Sequence, residues 1–309
     1  RDWSSDVCSS DLTWSQTGLN YQQKETRALS RVIVHPTNSS IILVGGDNGI
    51  HKSTDGGSTF TTKFVGDIKD MEIKPGNSSV FYATSGSKIF ISRDIGEKWT
   101  ELKTTIPGSI GRIAIAVTPA DPEAIYAVTA NRGSWDFGGF YRSYDGGDNW
   151  EVGATAPNII GRNLEGTDTE NQQGWYDLCI AASPDNPDLI FIGGINIWKT
   201  TNGGNNWTIN TYWVPNQGKP YVHADIHDLD FVNGSILVSG TDGGVFTSTN
   251  KGINWSNLSD GLEITQFYRM SISQQRSDIV LGGAQDNGSS MRSGEDAWQQ
   301  VWGGDGMDN

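Results

Sequence analysis

Three features of the sequence predict an all-β fold of repeated four-stranded antiparallel blades, the architecture of a β-propeller. An eight-residue pattern, Ser-x-Asp-x-Gly-x-x-Trp, recurs along the chain at about the length of one blade. Pairs of segments rich in Val, Ile and Tyr precede each copy, as expected for β-strands. The composition combines 39 glycines and 12 tryptophans with only 19% charged residues, which favours short strands and tight turns over helices.

The octet predicts a structural turn in each blade. Its third residue is Asp or Asn, whose short side chain can accept hydrogen bonds from the N–H groups of its own turn. The glycine two residues later can adopt a positive φ, and the closing aromatic packs back on the sheet. The third positions of the five clear copies are Asp55, Asp94, Asp145, Asn202 and Asn250, and the closing aromatics are Phe60, Trp99, Trp150, Trp207 and Trp255. A sixth, degenerate copy spans Met291 to Trp298. We predict that these residues stabilise the fold and are not catalytic.

The order of segments predicts which end of the blades carries function. Each blade is predicted as strand A, a turn that is Pro-rich in the first four blades, strand B, a short loop, strand C, the octet and strand D. Neighbouring strands alternate in direction, so the A–B and C–D turns lie at one end. The B–C loops and the connections from strand D to the next strand A lie at the other. We expect a binding cleft at this second end, where the loops are longer and less regular.

The B–C loops supply the first candidate residues. Asp47, Asp242 and Asp286 each lie in such a loop, next to Gly or Asn. Each alone is well explained as a tight hairpin turn, but several carboxylates around one end favour a ligand site. Blade 3 has a longer loop that contains Trp135 and Asp136. Trp135 is a candidate sugar-binding platform, with a core position as the alternative.

The connections before blades 4 and 5 supply the second set of candidates. They deliver Trp175 and Tyr176 to blade 4, and Tyr221, His223 and Asp225 to blade 5.

Two histidines in the second connection raise the question of a metal. In an extended strand His223, Asp225 and His227 would share one face and could bind a metal ion. A polar network that anchors the strand is the favoured interpretation, because the pattern supplies no fourth ligand. We therefore predict no metal and no cofactor.

Charge and hydropathy exclude two classes of partner. The formal net charge of −14 opposes binding to the phosphate backbone of nucleic acids. No apolar run approaches the roughly 18 residues that span a bilayer, so membrane insertion is not expected.

The first twelve residues differ from the rest of the chain. Residues 1–12, RDWSSDVCSSDL, lack the basic and apolar regions of a signal peptide and look like a translated sequencing adapter. The propeller is therefore assigned to residues 13–309. We expect it to be truncated at its C-terminus and to pack with further blades or a second propeller of the same polypeptide.

Several motifs together carry a family resemblance. These are the octets, the stretch HADIHDLDF at 223–231, TDGGVFTST at 241–249 and the glycine-rich segment at 261–309. They resemble the Asp-box (BNR-repeat) propeller superfamily, which includes xyloglucanase-type glycoside hydrolases and the sortilin/VPS10 domain. In particular, the chain resembles large secreted bacterial BNR-repeat, glycosyl hydrolase-like proteins that carry a type IX sorting domain. The resemblance implies a secreted or cell-surface protein.

The resemblance implies two alternative functions. Xyloglucan-active enzymes use one catalytic Asp from each of two facing propellers. Asp47, with Asp242 as a second option, is the equivalent of the first, although the spacing departs from the family pattern by one residue and the second propeller's motif is absent. Such an inverting mechanism needs carboxyl groups about 6.5–9.5 Å apart. The sortilin resemblance implies instead a non-catalytic module that binds a polysaccharide or a protein or peptide ligand. Binding is favoured because no catalytic pair is evident, and enzymatic activity is left open.

Overall fold

The computed structural model describes residues 15–19, 28–170, 172–262, 265–294 and 298–306. Across these residues the chain forms strands and no helix, and the strands pair into six four-stranded antiparallel sheets. The strands of each sheet follow one another in chain order, so each sheet is one blade. The predicted fold class, an all-β protein built from β-propeller blades, is confirmed. The prediction for residues 1–12 lies outside the described residues.

The strand bounds follow the predicted order A, B, C and D in every blade. Blades 1 to 3 contain β1 (Leu29–Val34), β2 (Ile42–Gly46), β3 (Gly49–Ser53), β4 (Thr61–Phe64), β5 (Ile68–Ile73), β6 (Phe81–Ser85), β7 (Lys88–Ser92), β8 (Thr100–Glu101), β9 (Ile110–Thr118), β10 (Asp121–Asn131), β11 (Phe137–Ser143) and β12 (Glu151–Ala154). Blades 4 to 6 contain β13 (Cys179–Ala182), β14 (Ile190–Gly193), β15 (Ile197–Thr200), β16 (Thr208–Ile209), β17 (Ile226–Phe231), β18 (Leu237–Thr241), β19 (Gly244–Ser248), β20 (Ser256–Asn257), β21 (Arg269–Ile272), β22 (Ile279–Ala284), β23 (Gly288–Ser293) and β24 (Gln299–Trp302). None of the described segments is a helix long and apolar enough to cross a membrane.

The chain divides into two compact units, and each has its own apolar core between blades. The first unit, Arg1–Glu101, holds blades 1 and 2, and the second, Leu102–Asn309, holds blades 3 to 6. In the first unit Leu43 of blade 1 packs in one buried cluster with Phe81 of blade 2. In the second unit Phe140 of blade 3 shares a core cluster with Ile192 of blade 4. Because the sheets of each unit bury their apolar faces against one another, the loops at the blade ends are left to form a site.

The octets occupy the C–D turns of blades 1 to 5. In blade 3 the Asp145 carboxylate accepts hydrogen bonds from the Ser143 hydroxyl at 2.8 Å and from the Asn149 N–H at 2.8 Å. The Ser143 hydroxyl oxygen in turn accepts the Gly147 N–H at 3.0 Å. Trp150 is buried and its indole N–H donates to the Gly147 carbonyl at 3.0 Å. One polar side chain thus satisfies several donors of a tight turn, as the sequence predicted.

The same bonds form where the third residue is Asn. The side-chain oxygen of Asn202 accepts the Asn206 N–H at 3.0 Å. The side-chain oxygen of Asn250 accepts the Asn254 N–H at 2.8 Å. An amide oxygen can therefore replace a carboxylate oxygen in this turn, although the charge is lost.

In the octet turns that contain Asp, hydrogen bonds stabilise the ionised carboxylate. Hydrogen bonds from Thr59 and Ser53 lower the pKa of Asp55 to about 2. Bonds from the backbone and side chain of Asn149 lower the pKa of Asp145 to about 2. The pKa of Asp94 is also lowered, chiefly by the Lys98 N–H. These carboxylates are ionised at neutral pH, which suits a structural acceptor better than a proton donor.

Candidate functional site

Acidic side chains of blades 5 and 6 meet at the end of the blades opposite the octets. Asp225 precedes β17, Asp242 lies between β18 and β19, and Asp286 lies between β22 and β23. One carboxylate oxygen from each of these three half-buried residues lies within 4.8 Å of the others. The alternation of strand directions explains the meeting, because B–C turns and D–A connections share one end of a blade.

Local backbone geometry orients the acids. Asp225 and Asp286 adopt positive φ angles of 63° and 58°, a conformation that Asp tolerates better than most residues. The Asp286 N–H donates to the Asp305 carboxylate at 3.1 Å. The side chain of Asn287 donates to the Asp242 carbonyl at 2.9 Å, which ties the blade 6 turn to the blade 5 turn.

Asp242 is held by two neighbours. The Tyr176 hydroxyl donates to its Oδ2 at 2.9 Å, and Nε2 of His227 lies 2.7 Å from its Oδ1. The rings of Tyr176 and His227 pack edge to face with centroids 4.7 Å apart. Burial and the bond to Asp242 raise the pKa of Tyr176, so this hydroxyl stays a hydrogen-bond donor. Trp175 lies beside Tyr176 with 58% of its surface exposed.

A buried carboxyl group lies behind the cluster. Asp177 has no exposed surface, and its Oδ2 accepts a hydrogen bond from the Gln173 amide at 3.1 Å. The same amide nitrogen donates to Asp225, so Gln173 links the two acids. The other oxygen of Asp177 has no hydrogen-bond partner among the described residues. Burial raises the pKa of Asp177 to about 8, and the charge of Asp225 adds to the effect.

The half-buried acids of the cluster also hold their protons more tightly than usual. The pKa of Asp225 is raised first by burial and then by the charges of Asp242 and Asp286. The pKa of Asp286 is raised by burial and then by the charges of Asp305 and Asp242. Mutual repulsion of carboxylates at short range explains the second cause in both cases.

Arg112 of β9 fixes the segment that carries Tyr176 and Asp177. Its guanidinium group donates to the carbonyls of Trp175 at 3.0 Å, Tyr176 at 2.9 Å and Leu178 at 3.2 Å. A fixed fork of five donors makes Arg suited to gathering several carbonyl groups. Blade 3 therefore positions residues that project from blade 4.

The acids line an open cleft of about 590 Å³, here called the acidic cleft. Its lining includes the aromatic rings of Trp213 and Tyr221 and the carboxyl groups of Asp225, Asp286 and Asp305. Its lining residues, all within the described part of the chain, include no Lys or Arg.

Two further features shape the cleft. His223 also lines it and packs on Gly243, where a Cβ atom would lie only 2.1 Å from the imidazole ring. A smaller cavity of about 220 Å³ is lined by Tyr176, Asp242 and Asp286. Asp286 is thus shared by the two cavities, which makes it central to any ligand at this end of the blades.

Other predicted site residues lie elsewhere. Trp135 is partly buried against the blade 3 core, and a Cβ atom on Gly111 would lie 2.6 Å from its ring. The Asp136 carboxylate accepts hydrogen bonds from Asn131 at 2.9 Å and Ser134 at 2.7 Å within the same loop. Both residues thus contribute to the packing and closure of the blade 3 loop.

Asp47 lies in the other compact unit. It occupies the half-buried turn between β2 and β3, where its N–H donates to the Ala28 carbonyl at 3.1 Å. The residues of the acidic cleft all belong to the second unit.

The histidines do not share one face with Asp225. The positive φ of Asp225 interrupts the extended alternation just before β17 begins at Ile226. His227 consequently contacts Asp242, whereas His223 packs on Gly243. Among the described residues, the side chains that approach one another closely enough to share a metal ion are Asp225, Asp242 and Asp286.

The structure adds residues to the site that were not selected from the sequence. Asp177 and Gln173 adjoin the Trp175-Tyr176 motif, but no pattern revealed that Asp177 is buried. Asp305 lies in a Gly-Gly-Asp-Gly segment whose composition resembles the B–C turns. Arg112 carries no local signal, because all its site contacts are to residues at least 62 positions away.

Comparisons with known proteins give a partial match in sequence and a broad match in fold. No family model matches the chain. A xyloglucanase of Paenibacillus sp. is 30% identical over 111 residues, which is 34% of this chain and 10% of that protein. The crystal structure of an ancestral GH74 enzyme has a TM-score of 0.57 at 18% identity and covers 90% of this chain and 39% of that one. The extracellular domain of a putative hybrid two-component system from B. thetaiotaomicron has a TM-score of 0.52 at 13% identity, covering 90% and 33%. The chain thus spans a small part of each protein, and these likenesses show that it has the β-propeller fold.

Proposed function

We propose that this chain is a secreted or cell-surface β-propeller module that binds polysaccharide in the acidic cleft. The observation that carries the proposal is the convergence of aromatic and carboxyl side chains from separate loops of blades 4 to 6 in one open cleft. A cleft of this kind, with a few convergent polar groups, is the usual form of a small-ligand or glycan site.

The chemistry of the walls suits a sugar chain. Trp213 and Tyr221 are 37% and 40% exposed, so their flat rings offer apolar surface to the faces of sugar rings. Carboxylates such as Asp286 and Asp305 accept hydrogen bonds from sugar hydroxyls. The partial identity with a xyloglucanase supports a β-glucan or xyloglucan backbone as the ligand to test first.

The close approach of the three acids differs from the arrangement of an inverting catalytic pair. Carboxylate oxygens of Asp225, Asp242 and Asp286 lie within 4.8 Å of one another. An inverting pair is separated by about 6.5–9.5 Å, which leaves room for a water molecule and the sugar. The close approach of these oxygens therefore supports a ligand-binding cluster over an inverting pair built from these three residues.

Affinity electrophoresis tests the proposal. Gels containing xyloglucan or mixed-linkage β-glucan should retard the full chain. Trp213→Ala and Tyr221→Ala should each weaken binding about tenfold, equivalent to about 1.4 kcal/mol. Tyr144→Ala is the matched control, because Tyr144 is a half-exposed aromatic in the blade 3 octet, away from the cleft.

Two results would contradict the proposal. One is unchanged mobility in gels of every polysaccharide tested, including soluble chitin derivatives. The other is release of new reducing ends by the chain alone that is lost in Asp242→Asn, which would establish hydrolysis instead of binding.

A further inference from the structure

We propose that the acidic cleft selects polysaccharides that carry free amino groups, such as partly or fully deacetylated glucosamine polymers. This inference rests on the proposed polysaccharide-binding function and names the ligand class. Its basis is a cleft of ligand size that is lined by aromatic rings and by aspartates, with no Lys or Arg among its described lining residues.

The charged side chains of the acidic cleft are unbalanced. Asp225, Asp286 and Asp305 line the cleft, and Asp242 joins the cluster from the adjoining cavity. The residues that line both cavities, all in the described part of the chain, include neither Lys nor Arg. His227 lies against Asp242, and His223 also lines the cleft. Acidic side chains therefore outnumber basic ones along the two cavities.

A cationic group on the ligand would relieve the repulsion between these carboxylates. Burial and neighbouring carboxylates raise the pKa values of Asp225 and Asp286, which shows that negative charge is disfavoured there. A ligand ammonium group would form charge-assisted hydrogen bonds to these carboxylates and reduce their mutual repulsion. A uronic acid would increase it, and a neutral hexose would leave it unchanged.

The aromatic rings of the cleft favour a cation that is carried on a sugar. Trp213 and Tyr221 stand at the same cleft as Asp286 and present half-exposed rings. A glucosamine unit can stack its ring on one aromatic face while its amine reaches a carboxylate. An ammonium group near such a ring also gains a cation–π attraction. These exposed aromatic side chains favour a polysaccharide over an isolated inorganic cation as the ligand.

Calorimetry with matched hexamers tests the inference. Glucosamine hexamer, N-acetylglucosamine hexamer and cellohexaose have similar size but differ in charge. At low salt the full chain should bind glucosamine hexamer at least about tenfold more tightly than either neutral hexamer. The advantage should shrink in about 0.5 M NaCl, because salt screens partly exposed charges.

Variants locate the selectivity. Asp286→Asn should reduce the preference for glucosamine hexamer several-fold while neutral hexamers bind as before. Asp305→Asn should do the same and tests the idea at an exposed residue if Asp286→Asn fails to fold. Asp188→Asn, at an exposed acid in the A–B turn of blade 4, is the control and should change nothing.

The outcomes separate this inference from the proposed function. Equal affinity for all three hexamers overturns amine selectivity and leaves polysaccharide binding intact. No binding of any hexamer or polysaccharide overturns both. Binding of an oligolysine peptide without binding of any sugar also overturns both and indicates a basic protein ligand.

Discussion

Asp177 shows how one buried residue can shape the site. It lies in the segment that Arg112 holds in place, and it shares the Gln173 amide with Asp225. Burial raises the pKa of Asp177 to about 8. A neutral carboxyl at pH 7 avoids placing a further negative charge behind the acidic cleft, although its second oxygen has no hydrogen-bond partner among the described residues.

The raised pKa of Asp177 predicts a pH-dependent stability. Between the ordinary pKa of about 3.8 and the folded value of about 8, the folded chain keeps a proton that the unfolded chain has released. The free energy of unfolding should therefore fall as the pH rises through this range, by up to about 1.4 kcal/mol per pH unit from this group. Asp177→Asn should flatten the slope in urea melts. The Asp188→Asn control should keep it, and equal slopes for wild type and Asp177→Asn would rule out the assignment.

At the scale of one element, the octet turn explains why its third residue is Asp in some blades and Asn in others. The oxygen of Asp145 and that of Asn250 accept equivalent N–H groups, from Asn149 and Asn254, at 2.8 Å in both turns. The turn thus requires a side-chain oxygen that reaches this N–H group, and a negative charge on that oxygen is less important. The charge adds stability that depends on pH.

Substitutions of Asp145 should separate these two contributions. At pH 7 the melting temperature should fall in the order wild type, Asp145→Asn, Asp145→Ala, because Asn keeps the acceptor and Ala removes it. The lowered pKa of Asp145 means that its charge contributes fully above about pH 4, and this contribution is lost as the pH falls through about 2. The gap between wild type and Asp145→Asn should therefore close in acid. A gap that persists at pH 2 would contradict this account.

The closing aromatic of the same turn should contribute more. Trp150 is only 7% exposed and is fixed by its bond to Gly147. Trp150→Ala should lower the free energy of unfolding by about 3–5 kcal/mol, measured by denaturant melts. Val152→Ala in β12, where the side chain is 53% exposed, should have little effect. Comparable losses for the two variants would show that the octet aromatic is not part of the core.

At the scale of the whole molecule, the octets also pack successive blades together. Gly204 of the blade 4 octet has φ of +90°, and a Cβ atom there would lie 2.0 Å from the ring of Phe140 in blade 3. Gly252 of blade 5 approaches Phe191 of blade 4 in the same way, at 2.7 Å. The glycine therefore serves two purposes, since it permits the turn and admits the neighbouring blade.

A pair of glycine substitutions tests the second purpose. Gly133 has φ of +94° and no atom within 4 Å of a Cβ position. Gly133→Ala should therefore lower the free energy of unfolding only by the strain of a left-handed conformation at Ala, about 1–2 kcal/mol. Gly204→Ala should lower the free energy of unfolding by about 1–3 kcal/mol more than this, because the added Cβ atom forces Phe140 to move. Equal losses of stability for the two variants in thermal melts would mean that the contact between Gly204 and Phe140 does not stabilise the packing of blades 3 and 4.

The sequence predicted the fold better than it predicted the site. Strand order and turn positions follow from short-range patterns, and the octets lie in the predicted C–D turns. The site residues were harder to select, because Trp135 and Asp286 occupy similar loops but only Asp286 lines the cleft. His223 and His227 diverge since a single backbone angle at Asp225 breaks the alternation.

By itself the sequence determined that this protein is built of four-stranded blades, with octet turns at one end and acidic loops at the other. Those properties depend on hydrogen bonds and side-chain alternation within a few residues of the chain. Only the tertiary structure decided that Asp225, Asp242 and Asp286 meet, that Tyr176 reaches Asp242 across 66 positions, and that Asp177 is buried. These contacts join different blades, so they depend on how the sheets pack, which no local pattern encodes.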